Sequence, residues 1–439
     1  MKVFRYIVTF VLCTLYFCTL KAEVGFRGAW IATVANIDWP SAKAVGNTSA
    51  QKEEMLFLLD SLQSIGINAV IFQVRPTADA LYLSEYEPVS HWLTGTQGSW
   101  GDQEPWDPLA WTIEQAHSRG MEVHVWLNPY RVNLARTDTS SLAPEHIMRK
   151  HPEWFWQYAG QWYFNPGLDI TREWICTIVQ DIVDRYDIQA IHMDDYFYPY
   201  PSGKKALPDI QTFVQYPRGY DNIHDWRRNN VNMAIRSISE AIRECRDGVE
   251  FGISPFGVWR NAAVDSTGSR TQAGITNYDD LYADIRLWIK EGWIDYVLPQ
   301  LYWEIGKKTA DYEHLAHWWA NEVRGTACKL YIGMAVYRLE GAKSGTRWGT
   351  GNEIARQMDL NRSIPEISGE CFYSTRPLLR NPRRVCERIR ERYMPARKGP
   401  FNLYIPAFQD IIIKPGIESP AVPQSDKSEE EELFLLPWE

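Results

Sequence analysis

Short β-rich apolar runs alternate with stretches of helical period along most of the chain, and the alternation reaches eight. The runs are FRGAWIATV (26–34), NAVIFQV (68–74), MEVHVWL (121–127), QAIHM (189–193), EFGIS (250–254), DYVLPQ (295–300), KLYIGMA (329–335) and SGECFYS (368–374). Between them lie amphipathic patterns such as QKEEMLFLLDSLQSI, DPLAWTIEQAHSR, LDITREWICTIVQDIVDRY, VNMAIRSISEAIREC, DDLYADIRLWIKE and DYEHLAHWWANEV. Alternating strand and helix implies a parallel sheet, because each crossover helix must cover a face. A count of eight points to a closed α/β structure, the (β/α)8 TIM barrel.

The connections support this independently. Helix-to-strand links are tight, and most carry a helix-stopping glycine: Gly66, Gly120, Gly248, Gly292 and Gly325. Strand-to-helix links are long, at 75–107, 128–144, 194–222, 255–277 and 336–350. The insertions therefore fall at the C-terminal ends of the strands, the face where barrel enzymes place their chemistry.

Residues 1–22 read as a signal peptide. Lys2 and Arg5 precede an apolar core from Ile7 to Leu20, and Ala22 offers a small residue for cleavage. An exported protein, periplasmic, envelope-bound or extracellular, is expected, with no membrane span once the signal is removed. A lipid anchor through Cys18 is disfavoured by the bulky Tyr16 and Phe17 before it. Residues 23–410 form the barrel, and 411–439 an acidic, Pro- and Glu-rich tail read as a mobile appendage. A net charge of −9 with no basic run excludes binding to nucleic acid through its phosphates. The five cysteines outside the signal are odd in number and widely spaced, which argues against a disulfide framework or a zinc site. The 20 Trp and 23 Tyr are expected partly in the core and partly as exposed flat surfaces on which sugar rings stack.

Strand alternation predicts which side chains face the barrel axis. Apolar Ile191 and Met193 pack outward, so His192 and Asp194 face inward with Asp195 at the tip. The same parity turns Gln73 and Arg75, then His124, Trp126 and Asn128, and finally Gln300, Tyr302 and Glu304 toward one rim. Structural alternatives remain open for each. Arg75 would neutralise Asp194, Asp195 would cap a turn, Asn128 would shape the loop at Pro129, and His124 and His192 would be hydrogen-bonded interior residues. The His192–Asp194 pair lacks a third ligand by spacing, so neither metal nor cofactor is expected.

Glycoside hydrolysis needs one carboxyl group to protonate the leaving oxygen and another to attack or to activate water. Asp194 is the preferred nucleophile or charge stabiliser. Glu304, in an aromatic setting, is the preferred general acid, and Asp195 is the reserve for either role.

The segments FRGAWIATVANIDWP, GINAVIFQVRPTADALY, WDPLAWTIEQAHSRGMEVHVWLNPYR, IHMDDYFYP, GISPFGVWRN and DYVLPQLYWE resemble the glycosyl hydrolase-like 10 family from about Gly25 to Arg376. The resemblance implies a (β/α)8 barrel, export to the envelope and action on a polysaccharide, with cell-wall glycan as the substrate class. Its motifs reach Arg75, Asp79, Asn128, Arg131, Asp194, Asp195, Tyr196, Gln300, Tyr302 and Trp303. The substrate-binding candidates are thus Arg75, Gln73, His124, Trp126, Asn128, His192, Tyr196, Gln300, Tyr302 and Trp303. The competing readings are a glycan-binding protein without catalysis on the same barrel, and a metal-dependent sugar hydrolase or deacetylase.

Overall fold

A computed structural model describes residues 25–133 and 139–395. The predicted signal peptide (1–22) and tail (411–439) lie outside the described residues. Eight parallel strands close on themselves in sequential order: β1 (Phe26–Ile31), β2 (Ala69–Arg75), β3 (Glu122–Leu127), β4 (Ala190–Met193), β5 (Glu250–Ile253), β6 (Tyr296–Val297), β7 (Lys329–Ala335) and β8 (Ile367–Tyr373). One crossover helix follows each: α1 (Thr48–Ser64), α2 (Pro108–His117), α3 (Asp169–Arg185), α4 (Ile223–Cys245), α5 (Ile285–Lys290), α6 (Tyr312–Val323), α7 (Glu353–Ser363) and α8 (Val385–Tyr393). The (β/α)8 barrel expected from the alternation is the fold.

The glycines predicted to stop helices take left-handed φ values, from 64° at Gly292 to 90° at Gly66. An L side chain is strained in that region. At Gly66 an added Cβ would also lie 2.9 Å from Tyr393 Cβ.

Two elements differ from the expected boundaries, each for a local reason. β6 is only two residues long because Pro299 has no N–H for a ladder bond, and Gln300 rejoins the sheet through single bridges to Phe256 and Gly333. α5 begins at Ile285 rather than near 279 because Tyr282 takes φ 55° and the Asp284 side chain caps Leu287 N. The aromatic-rich segment HPEWFWQYAGQWYF follows β3 on the C-terminal side of the barrel. It holds an antiparallel hairpin, Phe155–Tyr158 with Gln161–Phe164, turned by Ala159 and Gly160 at φ 48° and 86°. Two left-handed residues in succession suit the twist of a two-residue hairpin loop.

The barrel interior is packed with rings. Phe26 stacks on Tyr331 at 4.2 Å, and the Tyr296 ring lies over Gly252, its partner on the neighbouring strand, where a Cβ would lie 1.8 Å from the phenol. The rings divide between the core, as at Trp39, Trp226, Trp288 and Trp319, and half-buried positions such as Trp92, Trp100, Trp154 and Trp162, while Tyr86 and Tyr216 are exposed. Those in the core each remove a large apolar area from water. Among the described residues, no helix is long and apolar enough to cross a membrane.

Candidate active site

At the C-terminal end of the barrel a shallow pocket opens over the axis. β1 contributes Trp30 and β3 contributes Trp126 to its wall. Asp194, Asp195 and Tyr196 enter from the tip of β4, and Ser254 from the tip of β5. Gln300 and Tyr302 follow β6, and Tyr373 ends β8. A larger hollow lies at the opposite end, beside Glu122, His124, Glu250 and Lys329. Barrel architecture places variable loops, and hence chemistry, at the C-terminal face, so the smaller pocket is the candidate.

Asp194 and Asp195 both line this pocket although they are adjacent. Strand β4 ends at Met193, so alternation no longer throws neighbouring side chains to opposite faces. Their surroundings differ. Trp126 Nε1 donates to Asp194 Oδ2 at 3.1 Å, and Tyr196 N and Asn128 Nδ2 donate to its Oδ1 at 3.3 and 3.4 Å. Asp195 Oδ2 accepts from the Tyr200 hydroxyl, while its Oδ1 is buried with no hydrogen-bond partner among the described residues. Burial pushes Asp194 up to about 6, opposed first by the charge of Arg131. Burial, followed by the charge of Asp194, pushes Asp195 up to about 7. Two buried carboxyls this close share protons as a pair. The partner-rich Asp194 is the better anion, and Asp195 the better holder of the proton.

The cation facing Asp194 is Arg131, not Arg75. Arg131 is clamped by Nε and Nη2 to Pro76 O at 3.1 and 3.0 Å, and its guanidinium lies 5.3 Å from the Tyr196 ring centroid. Arg75 instead forms a two-pronged pair with Glu87, at 2.6 and 2.7 Å, with both side chains wholly buried.

Several sequence candidates lie away from the pocket. Gln73 accepts from Thr33 N and Val34 N at 3.0 Å, tying the β1 loop to β2. His124 and His192 sit below the pocket, sharing the Tyr296 hydroxyl at 2.9 Å each. Trp303 packs edge-on to Phe256 at 5.5 Å, with its carbonyl tied to Gln357. Glu304 lies in the loop beyond β6 and does not line the pocket, so its expected place as general acid is corrected. Strand parity was extended to Glu304 past the point where the strand ends. Asn128 both shapes its loop, accepting from Arg131 N at 2.8 Å, and reaches Asp194.

Trp30, Tyr373 and Tyr200 were missed by sequence reasoning. Parity along β1 and at the tip of β8 carries the signal for the first two. Tyr200 reaches Asp195 only through the path of its loop. Among the described residues, no three His, Cys, Asp or Glu side chains gather as a metal-binding group.

The model of the glycosyl hydrolase-like 10 family matches residues 25–349. The chain belongs to that family. Among the similar proteins, glycosyl hydrolase YngK of Bacillus subtilis strain 168 is 46% identical over 376 residues, 85% of this chain and 72% of the relative. Glycosyl hydrolase DigH of Escherichia coli K12 is 38% identical over 373 residues, covering 81% of this chain and 84% of the relative. The barrel of this glycosyl hydrolase-like 10 protein is also similar to the catalytic domain of β-amylase from Paenibacillus polymyxa. That match has a TM-score of 0.53 and 10% identity, over 86% of this chain and all (100%) of the other. α-L-Fucosidase isoenzyme 2 from Paenibacillus thiaminolyticus gives a TM-score of 0.51 at 14% identity, over 85% of this chain and 49% of that one. At such low identity these two likenesses speak to the fold alone.

Proposed function

We propose that this chain is an exported glycoside hydrolase that cleaves glycosidic bonds of a polysaccharide, with bacterial cell-wall glycan as the substrate class. The observation that carries the reading is the pair of buried carboxyls in one ring-walled pocket, one rich in donors and one holding an unpartnered oxygen. Asp195 is assigned as general acid. Its proton passes to the glycosidic oxygen as the bond to the anomeric carbon breaks, so the leaving sugar departs as an alcohol. Asp194, ionised, stabilises the positive charge that develops on the anomeric carbon, or attacks it. Water supplies the hydroxyl of the second product, and its released proton returns to the carboxyl pair.

A second route is favoured by both acids standing on one strand tip instead of flanking the bond from two strands. On an N-acetylated sugar, the substrate's own acetamide would attack, with Asp194 orienting it. Asp195 protonates the leaving group in either case.

The test is incubation of the purified protein with cell-wall glycan and a polysaccharide panel, with products read by mass spectrometry. New reducing ends that disappear in Asp195→Asn are expected. Binding without any cleavage would replace this reading with that of a glycan-binding protein.

A further inference from the structure

We propose that a one-way hydrogen-bonded chain along the barrel axis, Trp30–His192–Tyr296–His124–Glu122, sets the floor of the pocket, with His192 as the positioning residue. The link to catalysis rests on the glycosidase reading above; the chain itself does not.

Its sense follows from chemistry at each atom. An indole nitrogen only donates, so Trp30 Nε1, at 3.4 Å, makes His192 Nε2 an acceptor. Burial, then the neighbouring His124, holds the His192 pKa well below the ordinary imidazole range, so the ring is neutral. Its single proton therefore sits on Nδ1, 2.9 Å from Tyr296 Oη. The phenol, accepting there, gives its own proton to His124 Nδ1 at 2.9 Å. That leaves the proton of His124 on Nε2, 3.4 Å from Glu122 Oε2. The hydrogen bond from His124 in turn holds Glu122 below the usual carboxylate range, as an acceptor. The two ends agree, since one can only give and the other only accept, and no link is frustrated.

A proton wire to the opposite face is the competing use of such a chain. Trp30 excludes it, because an indole N–H passes no proton on. What remains is orientation. His192 fixes Trp30 and stands edge-on to Trp126, at 6.5 Å and 90°. Both tryptophans wall the pocket, and Trp126 donates to Asp194. His192 thus touches no substrate but holds Trp30 in the pocket wall and packs against Trp126, the ring that donates to Asp194.

The test combines ¹⁵N NMR of the histidine rings with kinetics, using the full chain. His192 should show a protonated Nδ1 and a bare Nε2, and His124 the reverse. Tyr296→Phe should leave the His192 tautomer in place, because Trp30 still dictates it, while releasing His124 into a mixture. His192→Phe, of similar ring size but without an acceptor, should lower kcat about tenfold and raise the acid limb of the pH profile, with KM changed less. If that variant does not fold, the Tyr296→Phe tautomers decide. His192 protonated on Nε2, or a folded His192→Phe with wild-type kcat and pH profile, overturns the proposal. A wild type that cleaves no glycan would overturn the hydrolase reading instead, and the tautomer measurement needs no substrate.

Discussion

The indole Nε1 of Trp126 stands 3.1 Å from Asp194 Oδ2, so an aromatic ring of the pocket wall is also a donor to the carboxyl assigned the anionic role. Phenylalanine keeps most of the ring but loses that bond. Trp126→Phe should reduce kcat/KM by about 10- to 100-fold, the worth of one hydrogen bond to a buried charge. It should also move the acid limb upward, because an anion with fewer donors takes up its proton more readily. A pH–rate series on both proteins checks this.

Asp194→Asn and Asp195→Asn should each lower kcat by about 10²–10⁴-fold while oligosaccharide binding persists. Glu304→Gln should stay near wild type, since Glu304 does not line the pocket. Full turnover in Asp195→Asn would remove it from the acid role.

Activity should peak between the apparent values of the pair, about 6 for Asp194 and about 7 for Asp195. Below the peak Asp194 becomes protonated and cannot meet positive charge. Above it Asp195 loses the proton it must donate. A profile still rising at pH 9 would be inconsistent with this assignment.

The same burial makes a stability prediction of defined sign. The folded-state pKa of Asp195 is raised from 3.8 to about 7. Its protonated form therefore supports folding fully below the unfolded pKa, and that support is lost as pH rises through the folded value. Asp195→Asn should thus match the wild type near pH 3, below the unfolded pKa, and exceed it at pH 8 by on the order of 4 kcal/mol. Urea unfolding at the two pH values measures it.

Arg75 and Glu87 form a wholly buried pair away from the carboxyls. Glu87→Gln strands a buried guanidinium and should cost about 3–5 kcal/mol of stability. The pH profile of any remaining folded enzyme should be unchanged, because Arg131, not Arg75, faces Asp194.

The barrel was legible in the sequence because its determinants are local: apolar period, glycine stops and connection length each act over a few residues. Parity placed Asp194, Trp126, Asn128, Gln300 and Tyr302 correctly on one face, since each lies within a strand or within its reach. It failed at Glu304, where the strand had ended, and it could not divide the remaining polar residues by height along the axis. His124 and His192 share the inward face with Asp194 but lie below it, in hydrogen-bonded contact with Tyr296. Whether Arg75 or Arg131 would face Asp194 depended on Glu87, twelve positions from Arg75 on a returning loop. The Asp-Asp pair at 194–195 was visible at once as two charges without a neighbouring base. Only the tertiary structure made them unlike, because burial and donors come from six different strands, and a carboxyl's proton affinity is set by what surrounds it in space.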